Sequence, residues 1–315
     1  MTEQVNGRAV PALKGGGRVE IISHGRKTSL YGDAGLTERP PKFSTHSLGC
    51  YEKAMVAPFE PMLGWLLAGH SGSELLFLLA SAFIAGLARG FSGFGAALIF
   101  MPLASTIVGP ACAAPLLLII DAVMAAGLIP NAWRCAHRRD VGIMAAGALI
   151  GIPAGTLALA LGDPLTLRWG IALTVVLLLT VLASGWRYRG QPSAMLTVSV
   201  GVVSGLFSGA AQIGGPPVVV YWLGGAISSA VVRANIVIFF AISTLLTGAS
   251  YLASGLFTQQ ILALSLTTGP FYGLGLYLGA RLFGMASEVA FRRICYGLIA
   301  MAGIIGLPIF DAILR

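Results

Sequence analysis

Residues 86–103, GLARGFSGFGAALIFMPL, and residues 205–222, GLFSGAAQIGGPPVVVYW, align without a gap at a constant offset of 119. Gly86 falls on Gly205, Leu87 on Leu206, Gly90 on Gly209 and Gly95 on Gly214, and an apolar run follows each stretch. The two stretches interrupt the apolar regions 75–108 and 194–226, each too long for one straight membrane crossing. A broken helix or a re-entrant hairpin would read this way. Further on, Gly155 matches Gly279 and Leu167-Arg168 matches Phe291-Arg292, now at an offset of 124, with a final apolar segment after each. The chain therefore reads as a tandem duplication, 75–189 and 194–315. A break at the same place in each half is the pattern expected around a transporter's substrate site.

Working outward, composition puts the chain in lipid. Hydrophobic residues make up 56% and charged ones only 10%, with a mean hydropathy of +0.84, values that a soluble domain does not reach. Clear membrane spans are expected at 110–130, 141–161, 168–186, 231–251, 261–280 and 294–310. With the two broken regions this gives about eight hydrophobic segments. The expected fold is an all-α integral membrane protein of two repeats, each a broken or re-entrant helix plus three transmembrane helices.

Charge is distributed unevenly. All four lysines (Lys14, Lys27, Lys42, Lys53) and half of the twelve acids precede residue 62. Residues 1–61 are polar, rich in Gly and Pro and without apolar periodicity, so they read as a disordered tail, followed by membrane repeats at 62–189 and 190–315. No apolar core with a small-residue cleavage site follows the basic residues, which excludes a signal peptide; a translation start at Met55 or Met62 would leave a short ordinary lead. The net charge of +8 does not indicate nucleic acid, because the arginines after the tail punctuate hydrophobic segments instead of forming a patch. Cys50, Cys112, Cys135 and Cys295 are far apart and form neither a metal-ligand cluster nor a disulfide framework.

Arginines prefer cytoplasmic loops, and Arg134, Arg138 and Arg139 share one loop. Two spans later, Arg187 and Arg189 fall on the same side. If 194–226 returns to its own side, Arg233, Arg281, Arg292 and Arg293 become cytoplasmic too, and the two halves are inverted. Inversion puts Ser254 outside and Ser287 inside a plasma or inner membrane crossed many times.

The paired breaks, GFSGFGAALIFMP and SGAAQIGGPPVVVYW, resemble those of the TauE/SafE family of sulfite exporters and related permeases, over roughly residues 75–312. The resemblance implies about four hydrophobic segments per half and the movement of sulfite, sulfonates, sulfoacetate or other sulfur-containing organic anions. Where the family commonly has a run of glycines and then a proline, the first break has Gly93, Phe94, Gly95, Ala96 and Ala97, with Pro102 further on. The second keeps Gly214, Gly215, Pro216 and Pro217.

Physical chemistry supplies a separate reason for such breaks in an anion carrier. A helix interrupted within the membrane exposes backbone N–H groups at the positive end of a helix dipole, and irregular backbone is tolerated there only when buried in protein or lining a cavity. Residues 90–96 and 209–217 are thus expected to form facing halves of one site, with Arg89, Gly90, Ser92, Gly93 and Gly95 on one side and Gly209, Gln212, Gly214, Gly215 and Pro216 on the other. Pro216 and Pro217 suit the first turn of the helix that follows. Gly147, Gly151, Gly155, Gly275 and Gly279 read instead as close helix packing. Arg89 has two readings, holding the anion or a structural pairing, and Asp121 could carry a coupling proton or pair with Arg89. Gln212 could donate its amide to an oxyanion, whereas Asn235 reads as a helix cap.

Enzymatic readings fail on missing partners. Gly90-Phe91-Ser92-Gly93 fits the GxSG string of intramembrane serine proteases, but His70 and His137, the histidines after the tail, lie outside the hydrophobic spans. No GxxxxGK[ST] string occurs, so an ion gradient, the membrane potential or the substrate's own gradient must supply the energy. Three readings remain: an anion permease, an anion channel with the same hairpins, and a membrane-embedded assembly or sensor subunit. The duplication favours the permease. No cofactor is expected; the expected partners are a small anion, the bilayer, protons as a coupling ion, and a second copy if the chain is a homo-oligomer.

Overall fold

The structure, a computed structural model, describes residues 20–23, 26–29, 71–92, 95–185, 193–223, 229–282 and 288–310. The readings of Met55, Met62, Gly93, Arg187, Arg189 and Ser287 lie outside the described residues. The chain divides into two units, 1–56 and 57–315.

In the first unit, strands β1 (Glu20–Ser23) and β2 (Arg26–Ser29) pair antiparallel, with Glu20 opposite Ser29 and Ser23 opposite Arg26. Both strands lie within residues 1–61, the stretch read as a polar tail. Ile21, Ile22 and Thr28 are β-branched and supply the local preference, although a lone two-stranded pair is marginal in water.

In the second unit every described element is helical. The order is α1 (Gly72–Ser92), α2 (Ala96–Ile107), α3 (Pro110–Ala125), a 3-10 turn at Ala126–Leu128, α4 (Ile129–Cys135), α5 (Arg138–Leu161) and α6 (Pro164–Ala183). Then come α7 (Ala194–Ala211), α8 (Gly215–Leu223), α9 (Ser229–Ala253), α10 (Gln259–Leu282) and α11 (Glu288–Ile305), with a last 3-10 turn at Pro308–Phe310. Among the described residues seven stretches are long and apolar enough to cross a membrane: Gly72–Phe91, Pro110–Cys135, Arg138–Leu161, Pro164–Ala183, Ala194–Ala211, Val231–Ala253 and Gln259–Leu282. The expected span 294–310 is shorter, because its apolar stretch stops at Ile305 and Gly306-Leu307-Pro308 follows.

Local chemistry sets the helix starts. Asp163 caps α6 by accepting hydrogen bonds from Thr166 N–H (2.9 Å) and Thr166 Oγ1 (3.0 Å), with Pro164 in the first turn. Ser193 does the same for α7 through Leu196 N–H at 3.2 Å. Proline opens α3 directly after Gly109, which sits at φ 76°. Asn235 caps a helix other than its own: fully buried in α9, its Oδ1 accepts from the His137 N–H at the head of α5, at 2.7 Å.

Two glycine seams fix the packing. A Cβ on Gly86 or Gly90 would lie 2.2 Å or 2.0 Å from the carbonyl oxygens of Tyr272 and Leu276, and one on Gly275 or Gly279 would lie 2.2 Å from those of Phe83 and Leu87. The backbones of α1 and α10 therefore touch, which only glycine permits. Likewise Gly147, Gly151 and Gly155 of α5 meet the carbonyls of Val198, Val202 and Leu206, while Gly201 and Gly209 of α7 meet those of Met144 and Ile152. In both seams the contacts advance in the same direction along each helix, so α1 runs parallel to α10 and α5 runs parallel to α7. Between α6 and α11 they advance oppositely: Tyr296 Oη donates to the Leu182 carbonyl, Gly303 faces Val175, and Arg168 donates to the Gly306 carbonyl. Those two helices are antiparallel.

Outward faces remain apolar. Leu149, Ile150, Leu157, Leu161, Leu173 and Leu177 are exposed along α5 and α6, as lipid-facing side chains must be. Inside, two buried hydroxyls of α10 bond their own helix, Ser265 to the Ile261 carbonyl (2.7 Å) and Thr268 to that of Leu264 (2.6 Å).

Candidate functional site

Both breaks open onto one cavity. Helix α1 ends at Ser92 and α7 at Ala211; α2 begins at Ala96 and α8 at Gly215, so the offset of 119 holds at both ends of the interruption. Gly95 leads into α2 in the left-handed region (φ 96°), and Gln212 closes α7 in the same region (φ 58°). Gln212 is the one non-glycine residue with positive φ among those described. A non-glycine residue there costs roughly 1–2 kcal/mol, which a tight reversal can justify.

The cavity measures about 60 Å³. On that measure a single water needs roughly 10–15 Å³, so a small oxyanion fits. Arg89 comes from α1, Gly95 and the first turn of α2 from the first break, Ser208 and Gln212 from α7, Gly215 and Pro216 from α8. Leu117 and Asp121 of α3, and Phe240, Ser243 and Thr244 of α9, complete the wall. The first N–H groups of a helix lack intrahelical acceptors, and here the opening residues of α2 and α8 line the same space, Ala96, Ala97 and Gly215 carrying an N–H and Pro216 none.

One wall carries charge. Arg89 Nε lies 2.5 Å from Asp121 Oδ1, and Tyr272 Oη donates to the same oxygen at 2.5 Å. The two side chains keep 15% and 25% exposure, so each still faces the cavity. Asp121 thus pairs with Arg89, and α10 contributes the phenol that holds the carboxylate in place. Pairing also reduces the insertion penalty that either ion alone would carry.

The opposite wall is neutral. Gln212 Nε2 donates to the Ser208 carbonyl (3.2 Å) and to Tyr251 Oη (3.4 Å), and Tyr251 Oη donates in turn to the Gly209 carbonyl at 2.9 Å. Both amide hydrogens are therefore directed at protein acceptors, and the expected donation to a ligand requires this small network to open. Ser204 Oγ donates to the Gly214 carbonyl at 2.7 Å, tying the turn to α7.

The expected site residues divide in two. Arg89, Gly95, Gln212, Gly215, Pro216 and Asp121 come together at the cavity. Gly90 and Gly209 do not, since both lie in the seams against Leu276 and Ile152. Gly214 packs on Ser204 and Ser208. Ser92 is the last residue of α1, and its side chain, like Gly93, lies outside the described residues. Sequence reasoning missed Ser208, Ser243 and Thr244. Ser243-Thr244 does leave a signal, two adjacent hydroxyls in the apolar run IVIFFAISTLL.

The search of curated proteins and the search of solved structures each return no match. A family model described as sulfite exporter TauE/SafE matches residues 78–305, which contain both breaks, both seams and every residue of the cavity wall. The chain belongs to the TauE/SafE sulfite exporter family.

Proposed function

We propose that this protein is a gradient-driven permease for a small sulfur-containing anion, sulfite or a sulfonate, and that the anion binds in the cavity between the two breaks. The observation that carries the reading is the convergence of both breaks, 119 residues apart in sequence, on one cavity with a guanidinium in its wall. Helix-start N–H groups, the hydroxyls of Ser208, Ser243 and Thr244, and Arg89 together suit a tetrahedral or pyramidal oxyanion.

The two halves, in this reading, are inverted repeats. Support comes from helix directions: α1 is parallel to α10, α5 to α7, and α6 antiparallel to α11, its counterpart in the other half. The seam contacts Gly86–Leu276 and Gly90–Ala280 also correspond to Gly205–Ile152 and Gly209–Thr156 at offsets of 119 and 124. Inversion puts Arg134, Arg138, Arg233 and Arg281 on one face, which the positive-inside tendency assigns to the cytoplasmic side of a plasma or inner membrane. The alternating-access cycle would rock one seam-bound pair against the other around a fixed site.

Flux of labelled sulfite, sulfoacetate and methanesulfonate into proteoliposomes tests the proposal. Saturable flux whose kcat/KM Arg89→Gln lowers by about 10- to 100-fold is expected. A wild-type protein that moves none of the three contradicts it, and flux that never saturates points to a channel.

A further inference from the structure

We infer that Asp121 is the proton-coupling group of this site, and that substrate and proton bind together because the anion and the Asp121 carboxylate compete for Arg89. The inference rests on the proposed permease reading and deepens it.

After the polar tail the sequence holds Glu74, Asp121, Asp140, Asp163, Glu288 and Asp311. Glu74, Asp140, Asp163 and Glu288 lie at helix starts, and only Asp121 sits within an apolar span, eleven residues after Pro110. Elements packed on α3 offer no second carboxyl at this depth. Helices α2 and α7 contain no titratable side chain. Helix α10 brings Tyr272; α9 brings Tyr251, engaged on the other wall, and Arg233 near its start. From α6 comes Arg168, bonded to the Gly306 carbonyl, and α5 has Arg138, Arg139 and Asp140 in its first turn. Cys112 shares the helix itself. Arg89 and Tyr272 are the groups that touch the carboxylate.

Charge then dictates the coupling. With Arg89 and Asp121 paired, the empty site is neutral, and adding a monovalent anion leaves one uncompensated negative charge in a low-dielectric wall. A proton taken from the aqueous side to which the cavity is open converts Asp121 to the neutral acid and restores neutrality. The guanidinium then turns its charge on the anion, while Tyr272 keeps the carboxyl in position. When anion and proton leave, the ion pair re-forms, and the carrier returns empty and neutral. One proton accompanies each monovalent anion.

The test uses methanesulfonate, whose own protonation does not change in the working range. Wild-type protein in proteoliposomes should accumulate it when an inward proton gradient is imposed, and its apparent affinity should fall as pH rises, by up to about tenfold per unit for one proton bound with each anion. Asp121→Asn should lose accumulation and should lose the pH dependence of whatever exchange it retains. Accumulation that persists in Asp121→Asn overturns the inference and leaves the permease reading intact. Absence of wild-type flux for methanesulfonate, sulfite and sulfoacetate overturns both. Should Asp121→Asn lose exchange as well, proton uptake by purified wild type on adding methanesulfonate decides: about one proton per anion bound supports the coupling, and none overturns it.

Discussion

The first break and the second share a scaffold and differ in chemistry. At equivalent places, offset by 119, the first presents Arg89 where the second presents Ser208, and Asp121 faces the cavity where Phe240 does on the other side. The first break enters its half-helix through a left-handed glycine followed by alanines, whereas the second turns at Gln212 and starts on Gly215-Pro216-Pro217. What the two have in common is the seam, glycine against backbone, that holds each broken helix to a helix distant in sequence. The difference teaches that close packing is what the two breaks share, while charge stands on one side only.

If the seams are equivalent, damage to either should be equally severe, and this is the largest effect expected. Gly90→Val and Gly209→Val each drive side-chain atoms into a backbone carbonyl already 2.0 Å or 2.2 Å from an ideal Cβ. Overpacking against backbone that cannot yield should cost about 3 kcal/mol or more in each case. Thermal unfolding in detergent would read this as loss of the folded species. Gly297→Ala is the control, because a Cβ there meets nothing within 4 Å, and helix propensity should leave stability equal or about 1 kcal/mol higher. A tolerated valine in one seam only would break the equivalence.

Charge should separate the breaks next. Arg89→Gln removes a charge-assisted contact of roughly 1.5–3 kcal/mol, about 10- to 100-fold in the transport ratio kcat/KM. Ser208→Ala, at the equivalent position, removes a neutral one of about 1 kcal/mol, about fivefold. Equal losses in flux assays would mean that the first break has no special role.

Turn geometry is the third and smaller contrast. With φ at 58°, Gln212 carries a left-handed cost of roughly 1–2 kcal/mol from which a glycine in its place would be free. Gln212→Gly should therefore unfold within about 1 kcal/mol of wild type, the relief offsetting the lost amide contacts, while Gln212→Val should be less stable by about 2 kcal/mol.

Outside the membrane the effect shrinks further. The Thr166 hydrogen bonds to exposed Asp163 hold its carboxyl below the ordinary value of 3.8. A depressed carboxyl contributes stability above that value and loses it as pH falls through the folded titration. Asp163→Asn should flatten the acid limb of a stability profile slightly and leave neutral pH almost unchanged.

Much of this organisation was legible in residues, for reasons that also explain what was not. Apolar run lengths and the paired Gly/Pro punctuation announce the breaks because backbone has few ways to interrupt a helix in lipid. Matched glycines at offsets of 119 and 124 already contained the seam register, yet a single sequence does not say that α1 pairs with α10. Gly90 and Gly209 were assigned to the site because glycine serves close approach by a ligand and by a helix equally. The Asp121–Tyr272 contact joins residues 151 apart, beyond any local pattern. Ser243 and Thr244 were visible as polar residues but carried little weight, since membrane hydroxyls usually bond their own helix.

Substrate protection of cysteine labelling tests the shared site most directly. In a background lacking Cys50, Cys112, Cys135 and Cys295, Ala97→Cys reports the first break and Ser208→Cys the second. Sulfite or methanesulfonate should protect both with one half-saturating concentration; protection of one position alone, or at two clearly different concentrations, would contradict a single anion site built from both breaks.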